Sequence, residues 1–259
     1  MITSAANRKI KWVRELVGSG KQRKKEGCFV AEGLRMFKET PESSIREVFY
    51  TEGFLKSAGD LRDKLINING EVVSDDVFKR ISDTVTPQGI MMVVENPVYT
   101  VDDITGGDDK LLIILENIQD PGNLGTILRT AEAAGVGGII MSRGTTDIFS
   151  PKVIRSTMGA IYRMPFVYGD LSGILPKMKE EGYKIHAAAL GHDTWYTKAD
   201  YSGKNAIMIG NEGNGLTDEA KALATDIVTI PMSGSVESLN AAVSAAVLMY
   251  EAKRQREGV

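Results

Sequence analysis

Unbroken apolar runs alternate with segments of helical periodicity over most of this chain. In the clearest case the run Leu111–Leu115 has the length of a parallel strand buried on both faces, and Asp120-Pro121 follows it after a short turn. Because Pro121 fixes φ and Asp120 can cap, a helix should begin near Gly122. The residues expected to face the sheet from this helix are Leu124, Ile127, Leu128 and Ala131. Arg129 falls on the other side, where an arginine is usually solvated or faces a phosphate.

The same alternation continues to the C-terminus and predicts a doubly wound α/β domain over residues 110–259. Further strands are predicted at Gly138–Met141, Met164–Tyr168, Tyr183–Ala189, Ala206–Ile209 and Ile227–Ile230. The last run, Ser238–Arg256, is predicted to be a core helix, since its small alanines allow close packing. The residues near helical spacing on its expected contact face are Leu239, Val243, Ala246, Val247 and Tyr250.

The first third of the chain predicts a smaller α/β domain over residues 1–95. Its predicted strands are Cys28–Gly33, Ile45–Tyr50 and Gly89–Val94, and its predicted helix is Leu34–Glu39. Between the domains, residues 96–109 contain one proline, a pair of glycines and four aspartates. This composition is typical of a hydrated linker, which would let the first domain reposition over the second.

At 259 residues the chain exceeds the usual size of one domain, in agreement with two domains and a core that needs no disulfide. Cys28 is the only cysteine, and His186 and His192 are the only histidines. These residues offer no zinc constellation, so we expect both histidines to be ordinary surface or core residues. No stretch approaches the roughly 20 apolar residues of a membrane span, and the N-terminus lacks a hydrophobic signal core. A cytoplasmic location is therefore expected.

The charge distribution is uneven, although the formal net charge is only −3. Within residues 1–25 the one acidic residue is Glu15, whereas the basic residues are Arg8, Lys9, Lys11, Arg14, Lys21, Arg23, Lys24 and Lys25. Such a patch is either a solvated helix face beside a flexible loop or a surface that attracts phosphate. The stretch Gly18–Lys21 within it is no phosphate loop, because Gln22 stands where Ser or Thr should hold magnesium and no strand precedes it.

Three segments of the second domain place glycines and polar residues at the ends of predicted strands. They are Ile114–Gly135, Ala206–Gly215 and Val228–Asn240. Because parallel strands bring their carboxyl ends to one edge of a sheet, all three should contribute to a ligand crevice there. The second segment does not follow the G-x-G-x-x-G order of a dinucleotide fingerprint, so it does not by itself indicate a nucleotide cofactor.

Together these segments resemble, in order and separation, the three motifs of the SpoU, or TrmH-like, family of RNA 2′-O-ribose methyltransferases within the α/β-knot class. The first motif is matched by Asp120-Pro121, Asn123, Gly125 and Arg129-Thr130-Ala131. The second is matched by Gly210-Asn211-Glu212-Gly213 and Gly215. The third is matched by Ile230-Pro231-Met232, Gly234 and Ser238-Leu239-Asn240. The resemblance extends from about residue 111 to residue 256, more than half of the chain.

This resemblance implies a deep trefoil knot in the C-terminal domain, S-adenosylmethionine as the cofactor, no metal, and a homodimer formed with the first-motif and C-terminal helices. The implied cofactor site, lined mainly by backbone groups, carries over to Leu190, Gly210, Asn211, Gly213, Ile230, Met232 and Leu239. The implied catalytic residues around the reacting ribose are Asn123, Arg129, Glu212, Ser238 and Asn240. The family's usual Val-Ser-Val after the third motif is here Ala241-Ala242-Val243, so the second serine of that pattern is absent.

The resemblance makes Arg129 catalytic, sometimes as a general base, and this role conflicts with the chemistry of arginine. A guanidinium with a pKa above about 12 almost never accepts a proton at neutral pH. Either a dry site depresses that pKa, or Arg129 stays charged, holds a phosphate and stabilises the developing alkoxide. We favour the second interpretation, in which the proton leaves to solvent or phosphate.

The stretches Lys21–Gly33 and Ser82–Gly89 resemble the L30e-like substrate-binding domain that is attached to many SpoU-family enzymes and binds RNA. The residues expected to contact RNA are Asn7, Lys11, Arg23, Lys24, Lys25 and Arg35. The spacing of Ser4, Asn7, Ile10 and Lys11 also resembles the branch that modifies large-subunit rRNA, so 23S rRNA is the expected substrate. The alternatives are a tRNA 2′-O-ribose methyltransferase, whose minimal forms often lack the N-terminal domain, and a non-catalytic RNA-binding relative.

Overall fold

The computed structural model describes residues 1–191 and 194–258, which form two compact α/β units and confirm the predicted fold class. The first unit comprises Met1–Pro97 and Asp147–Tyr162, and the second comprises Val98–Thr146 and Arg163–Val259. The chain first passes between the units close to the predicted linker. The return of residues 147–162 to the first unit has no counterpart in the prediction, because periodicity gives elements and not their partners.

A mixed four-stranded sheet organises the first unit, with strand order β1-β4-β2-β3. Strands β1 and β2 run antiparallel to β4, and β3 runs parallel to β2. Apolar residues of the helices Arg8–Gly18 and Asp75–Ile81 pack together with this sheet in one core cluster that includes Ile10, Leu16 and Phe78. The elements are α1 (Arg8–Gly18), α2 (Gly20–Glu26), β1 (Cys28–Glu32), α3 (Leu34–Glu39), β2 (Ile45–Tyr50), α4 (Glu52–Ser57), α5 (Leu61–Asn67), β3 (Glu71–Val72), α6 (Asp75–Ile81) and β4 (Ile90–Glu95).

The second unit begins inside the predicted linker. Its first elements are α7 (Val101–Thr105), β5 (Leu111–Leu115), α8 (Pro121–Ala134) and β6 (Gly138–Ser142). Thr100 and Asp103 form a capping box that starts α7, and Ile104 is completely buried in the core of the second sheet. The segment 96–109 therefore differs from a plain hydrated linker, because one apolar side chain among its polar residues anchors a helical turn.

Residues 147–162 return to the first unit and contain helix α9 (Pro151–Thr157). The ring of Phe149 stacks on Phe29 of β1 with centroids 5.1 Å apart. Arg155 of α9 forms an ion pair with Asp83 at 2.9 Å. These contacts explain the return, since Phe149 completes the aromatic packing over β1.

The remaining elements of the second unit complete a six-stranded parallel sheet of order β10-β8-β9-β5-β6-β7. They are β7 (Phe166–Gly169), α10 (Leu171–Glu180), β8 (Lys184–Ala188), β9 (Asn205–Ile209), α11 (Asp218–Leu223), β10 (Asp226–Val228) and α12 (Ala241–Glu257). After β5 the chain adds β6 and β7 towards one edge of the sheet. It then crosses β5 and forms β8, β9 and β10 towards the opposite edge. The carboxyl ends of β5 and β9 therefore meet where the strand order reverses, which is the usual ligand position in open α/β sheets.

Helix α12 packs against α8, but with a different face from the predicted one. The residues it buries are Ala241, Ala242, Ala245, Leu248, Met249 and Ala252. Val243 and Tyr250, which were expected to face the core, are 48% and 49% exposed. The small alanines bring α12 close to its neighbours, while Val243 and Tyr250 lie on the outer face. None of the helices described is both long enough and apolar enough to span a bilayer.

Candidate active site

A cleft of about 370 Å³ lies at the carboxyl ends of β8, β9 and β10 in the second unit. All the predicted cofactor-binding residues line it, namely Leu190, Gly210, Asn211, Gly213, Ile230, Met232 and Leu239. Two predicted catalytic residues, Glu212 and Ser238, line it as well. The sequence did not indicate Lys221, Glu237 and Ser244, which also contribute to its wall. The strand ends of the second and third motifs thus form one site.

The glycine loop after β9 closes on itself. Asn211 and Gly215 exchange two backbone hydrogen bonds, and Asn211 Oδ1 accepts from the backbone N–H groups of Gly213 and Asn214. A Cβ at Gly210 would lie 2.2 Å from the carbonyl carbon of Gly215, so only glycine fits there. The loop is therefore a compact ring from which Glu212 projects.

Three donors surround the carboxylate of Glu212. The backbone N–H groups of Gln119 and Asp120 donate to it at 3.1 and 3.0 Å, and Asn123 Nδ2 donates at 2.9 Å. Partial burial raises the pKa of Glu212, but the hydrogen bonds from Asn123 and from backbone amides outweigh it and hold that pKa below its ordinary value. Glu212 is therefore ionised at neutral pH, where it is a weak base and a strong hydrogen-bond acceptor.

The amides of Asn123 and Asn240 continue this network in a fixed orientation. Asn240 Nδ2 donates to Asn123 Oδ1 at 2.9 Å, while Asn240 Oδ1 caps α12 by accepting from the backbone N–H groups of Ala242 and Val243. At one end of the network, the Glu212 carboxylate can only accept hydrogen bonds. At the other end, the backbone N–H groups of Ala242 and Val243 can only donate them. Neither Asn amide can flip without breaking a bond, so each keeps one N–H free for a ligand.

Arg129 and Ser238 stand apart from that network. Arg129 is exposed on α8, and within residues 1–191 and 194–258 its guanidinium has no hydrogen bond or ion pair. Ser238 is exposed at the rim of the cleft. The structure thus brings together three of the five predicted catalytic side chains, and leaves the guanidinium available to a ligand.

The donor set of the cleft suits S-adenosylmethionine. Its apolar residues Leu190, Ile230 and Leu239 can cover an adenine ring, and the backbone groups of the glycine loop can satisfy the ring's polar edge. The carboxylates of Glu212 and Glu237 offer negative charge to a sulfonium and an ammonium group. In the part of the chain that is described, no group of three or more His, Cys, Asp or Glu side chains could hold a metal.

The predicted RNA-binding residues of the first unit divide into two groups. Arg23 is only 6% exposed, and its guanidinium donates to the carbonyls of Leu16 and Val17 and pairs with Asp147 at 2.6 Å. The prediction that Arg23 contacts RNA is wrong, because these bonds occupy its side chain. Asn7 caps α1 through its Oδ1, which accepts from the Lys9 N–H. The others, Lys11, Lys24, Lys25 and Arg35, are exposed.

His186, expected to be an ordinary residue, is buried in β8 and does not line the cleft. Its Nε2 lies 2.6 Å from Asn205 Oδ1, and burial lowers its pKa. His192 lies outside the described residues. The turn before α8, where Asn117 adopts a positive φ of 56°, was not predicted to contribute to the site. The available signal was the residue type, since Asn tolerates the left-handed region better than most residues.

Comparison with known proteins identifies a family for each part of the chain. The family described as "SpoU rRNA Methylase family" matches residues 110–250, and the "MRM3-like substrate binding domain" matches residues 7–92. The chain is 33% identical over 252 residues to the 23S rRNA (guanosine(2553)-2'-O)-methyltransferase RlmP of Bacillus subtilis (strain 168), covering 96% of this chain and 97% of that protein.

Solved structures with bound cofactor show the same fold over nearly the whole chain. The AdoMet-bound rRNA methyltransferase from Sinorhizobium meliloti is 30% identical with a TM-score of 0.87, covering 98% of this chain and 97% of that one. The SpoU methyltransferase AviRb from Streptomyces viridochromogenes, in complex with AdoMet, is 28% identical with a TM-score of 0.85, covering 98% and 100%. The predicted resemblance is confirmed, and the chain belongs to the SpoU rRNA methylase family.

Proposed function

We propose that this protein transfers a methyl group from S-adenosylmethionine to a ribose 2′-hydroxyl of 23S rRNA. The observation that carries this proposal is the fixed network of Glu212, Asn123 and Asn240 beside the cleft. Such a network can orient a hydroxyl group without a metal. Support for the substrate comes from the rRNA methyltransferases to which the chain is similar over nearly its whole length.

When bound, S-adenosylmethionine supplies a methyl group that is already electrophilic. The protein therefore has to align the hydroxyl oxygen and help it lose its proton. The free N–H groups of Asn123 and Asn240 can donate to the ribose, and ionised Glu212 keeps both amides turned that way. Ser238 lines the cleft at the same end and can donate or accept through its hydroxyl.

Arg129 stays charged in this mechanism. Its guanidinium holds a phosphate of the substrate and stabilises the alkoxide that develops on the ribose oxygen, while the proton leaves to solvent or to that phosphate. The exposed position of Arg129 on α8 supports this role, because the side chain is free to meet an incoming strand. Glu212 is a poor candidate for the base, since its pKa is lowered.

The remaining parts of the proposal concern assembly and substrate capture. Residues 1–95 bind RNA through Lys11, Lys24, Lys25 and Arg35, whose exposed cations can approach phosphates. The outer face of α12, with Val243 and Tyr250 half exposed, packs in a homodimer together with α8. The C-terminal segment is threaded as a trefoil knot, no metal takes part, and the protein works in the cytoplasm.

The decisive experiment incubates the purified protein with methyl-labelled S-adenosylmethionine and unmodified transcripts of 23S rRNA or tRNA. Arg129→Ala is the inactive control. We expect label in an alkali-resistant dinucleotide from 23S rRNA alone, and no label with the variant. Label in tRNA would favour the tRNA methyltransferase, and cofactor binding without label on either transcript, even within partly assembled large subunits, would favour a binding-only relative.

A further inference from the structure

Asn117, in the turn between β5 and α8, adopts a conformation that few residues with a side chain accept. Its φ is +56°, and within residues 1–191 and 194–258 the other non-glycine residues with positive φ are Asn69 and Met158. The left-handed region is disfavoured even for asparagine. The contacts around Asn117 must therefore hold it in place.

Three strand ends meet on this residue. The backbone N–H of Asn117 donates to Ser142 Oγ at 2.9 Å, and Ser142 Oγ donates in return to Asn117 Oδ1 at 3.0 Å. The carbonyl of Asn117 accepts from Asn211 Nδ2 at 2.8 Å. Ser142 ends β6 and Asn211 follows β9, and these are the two strands that flank β5. Asn117 thus ties the end of the central strand to both of its neighbours.

The turn at Asn117 also determines how Glu212 is held. Two and three residues later, the backbone N–H groups of Gln119 and Asp120 point at the Glu212 carboxylate. From the other side, Asn211 immediately precedes Glu212 and is itself bonded to the carbonyl of Asn117. Both supports depend on the left-handed backbone, because an ordinary φ would turn that carbonyl and the following amides in other directions.

We propose that Asn117 is a positioning residue for methyl transfer, which holds Glu212 against Asn123 through its left-handed backbone. This inference rests on the proposed function and adds a residue that does not itself touch the substrate. Because the backbone conformation carries the effect, glycine should replace Asn117 with little loss, whereas alanine should not.

The kinetic test compares Asn117→Ala and Asn117→Gly with Asn69→Ala. Asn69, with φ +53°, lies in the first unit and is a matched control, since alanine meets the same conformational penalty there without contacting the site. At saturating RNA and cofactor, kcat should fall by about ten- to a hundredfold in Asn117→Ala and by less than about threefold in Asn117→Gly. Asn69→Ala should lower only the melting temperature. An equal loss in both Asn117 variants, or none in Asn117→Ala, would overturn the proposal.

A second measurement does not require turnover. The carboxyl pKa of Glu212, followed by carbon NMR without RNA, should rise in Asn117→Ala because the Gln119 and Asp120 donors move away. It should stay at the wild-type value in Asn117→Gly and Asn69→Ala. An unchanged pKa in Asn117→Ala would contradict the positioning role. A raised pKa in that variant, with wild-type protein that methylates no RNA, would support the positioning role and reject the proposed reaction.

Discussion

The cleft of the second unit and the basic helices of the first hold their polar side chains in different ways. At the cleft, Glu212, Asn123 and Asn240 bond to one another and to backbone amides, so their directions are fixed before a ligand arrives. On the helices, Lys11, Lys24 and Lys25 are exposed to solvent, and Lys25 Nζ lies 4.0 Å from a carboxylate oxygen of Glu26. Fixed dipoles suit a reaction that needs alignment, whereas exposed cations suit attraction to a polyanion of many shapes.

The largest effect is expected at the cleft, for Glu212→Gln. The glutamine keeps the shape but loses the charge, and its NH2 group would face the Gln119 and Asp120 donors or release Asn123. We expect kcat to fall by about 10³ with modest change in the KM for RNA, as when a preorganised polar group is lost. Glu219→Gln removes the same charge from the exposed face of α11 and is the control. A less than tenfold loss of kcat in Glu212→Gln would show that the fixed orientation of these polar groups contributes little to the reaction.

The second largest effect is expected for Arg129→Lys, because Arg129 combines an exposed position with a proposed catalytic role. Lysine keeps the charge but cannot form two parallel hydrogen bonds to a phosphate, so kcat at saturating RNA should fall by about 10². Arg163→Lys, in an arginine that pairs with Glu132 of α8, is the matched control and should keep its activity. Turnover of Arg129→Lys close to wild type would remove the bidentate contact from the mechanism.

The smallest effects separate two adjacent cations on α2. Arg23→Ala should destabilise the first unit by about 2 kcal/mol, less than a fully buried pair would, because Asp147 is 37% exposed. Lys24→Ala should leave stability unchanged, weaken RNA binding a few-fold, and lower the salt dependence of binding by about one counterion. Thermal unfolding and binding at several salt concentrations measure both. The comparison fails if Arg23→Ala binds RNA less well but unfolds like wild type.

The predictable features are those encoded within a few residues. The strand Leu111–Leu115 and the cap Asp120 form as predicted, because an apolar run and an Asp-Pro pair act locally. The meeting of Asn123 with Glu212 and Asn240 joins residues 89 and 117 positions apart, and only the order of the strands brings them together. Periodicity predicts strands but not their order, so the family motifs supplied this part of the site.

Two errors have the same physical origin. Arg23 stands in a run of basic residues with nothing local to distinguish it from Lys24, and its burial depends on Asp147, 124 positions later. On α12 the apolar residues at helical spacing from Val243 could form a core face, but the helix buries a different face, which consists of alanines together with Leu248 and Met249. In both cases the residues packed against a segment determine which of its side chains are buried, and a local sequence pattern does not identify those residues.

The return of residues 147–162 to the first unit has a consequence for how the protein is made. When Pro97 has just emerged from the ribosome, the nascent chain cannot complete this unit. Phe149 and Asp147, the partners of Phe29 and Arg23, have not yet been synthesised. While it waits, the ribosome adds β5, whose five residues are all apolar and buried in the finished protein. The first unit therefore matures only after Tyr162 emerges, and a fragment cut at the linker would lack part of its own core.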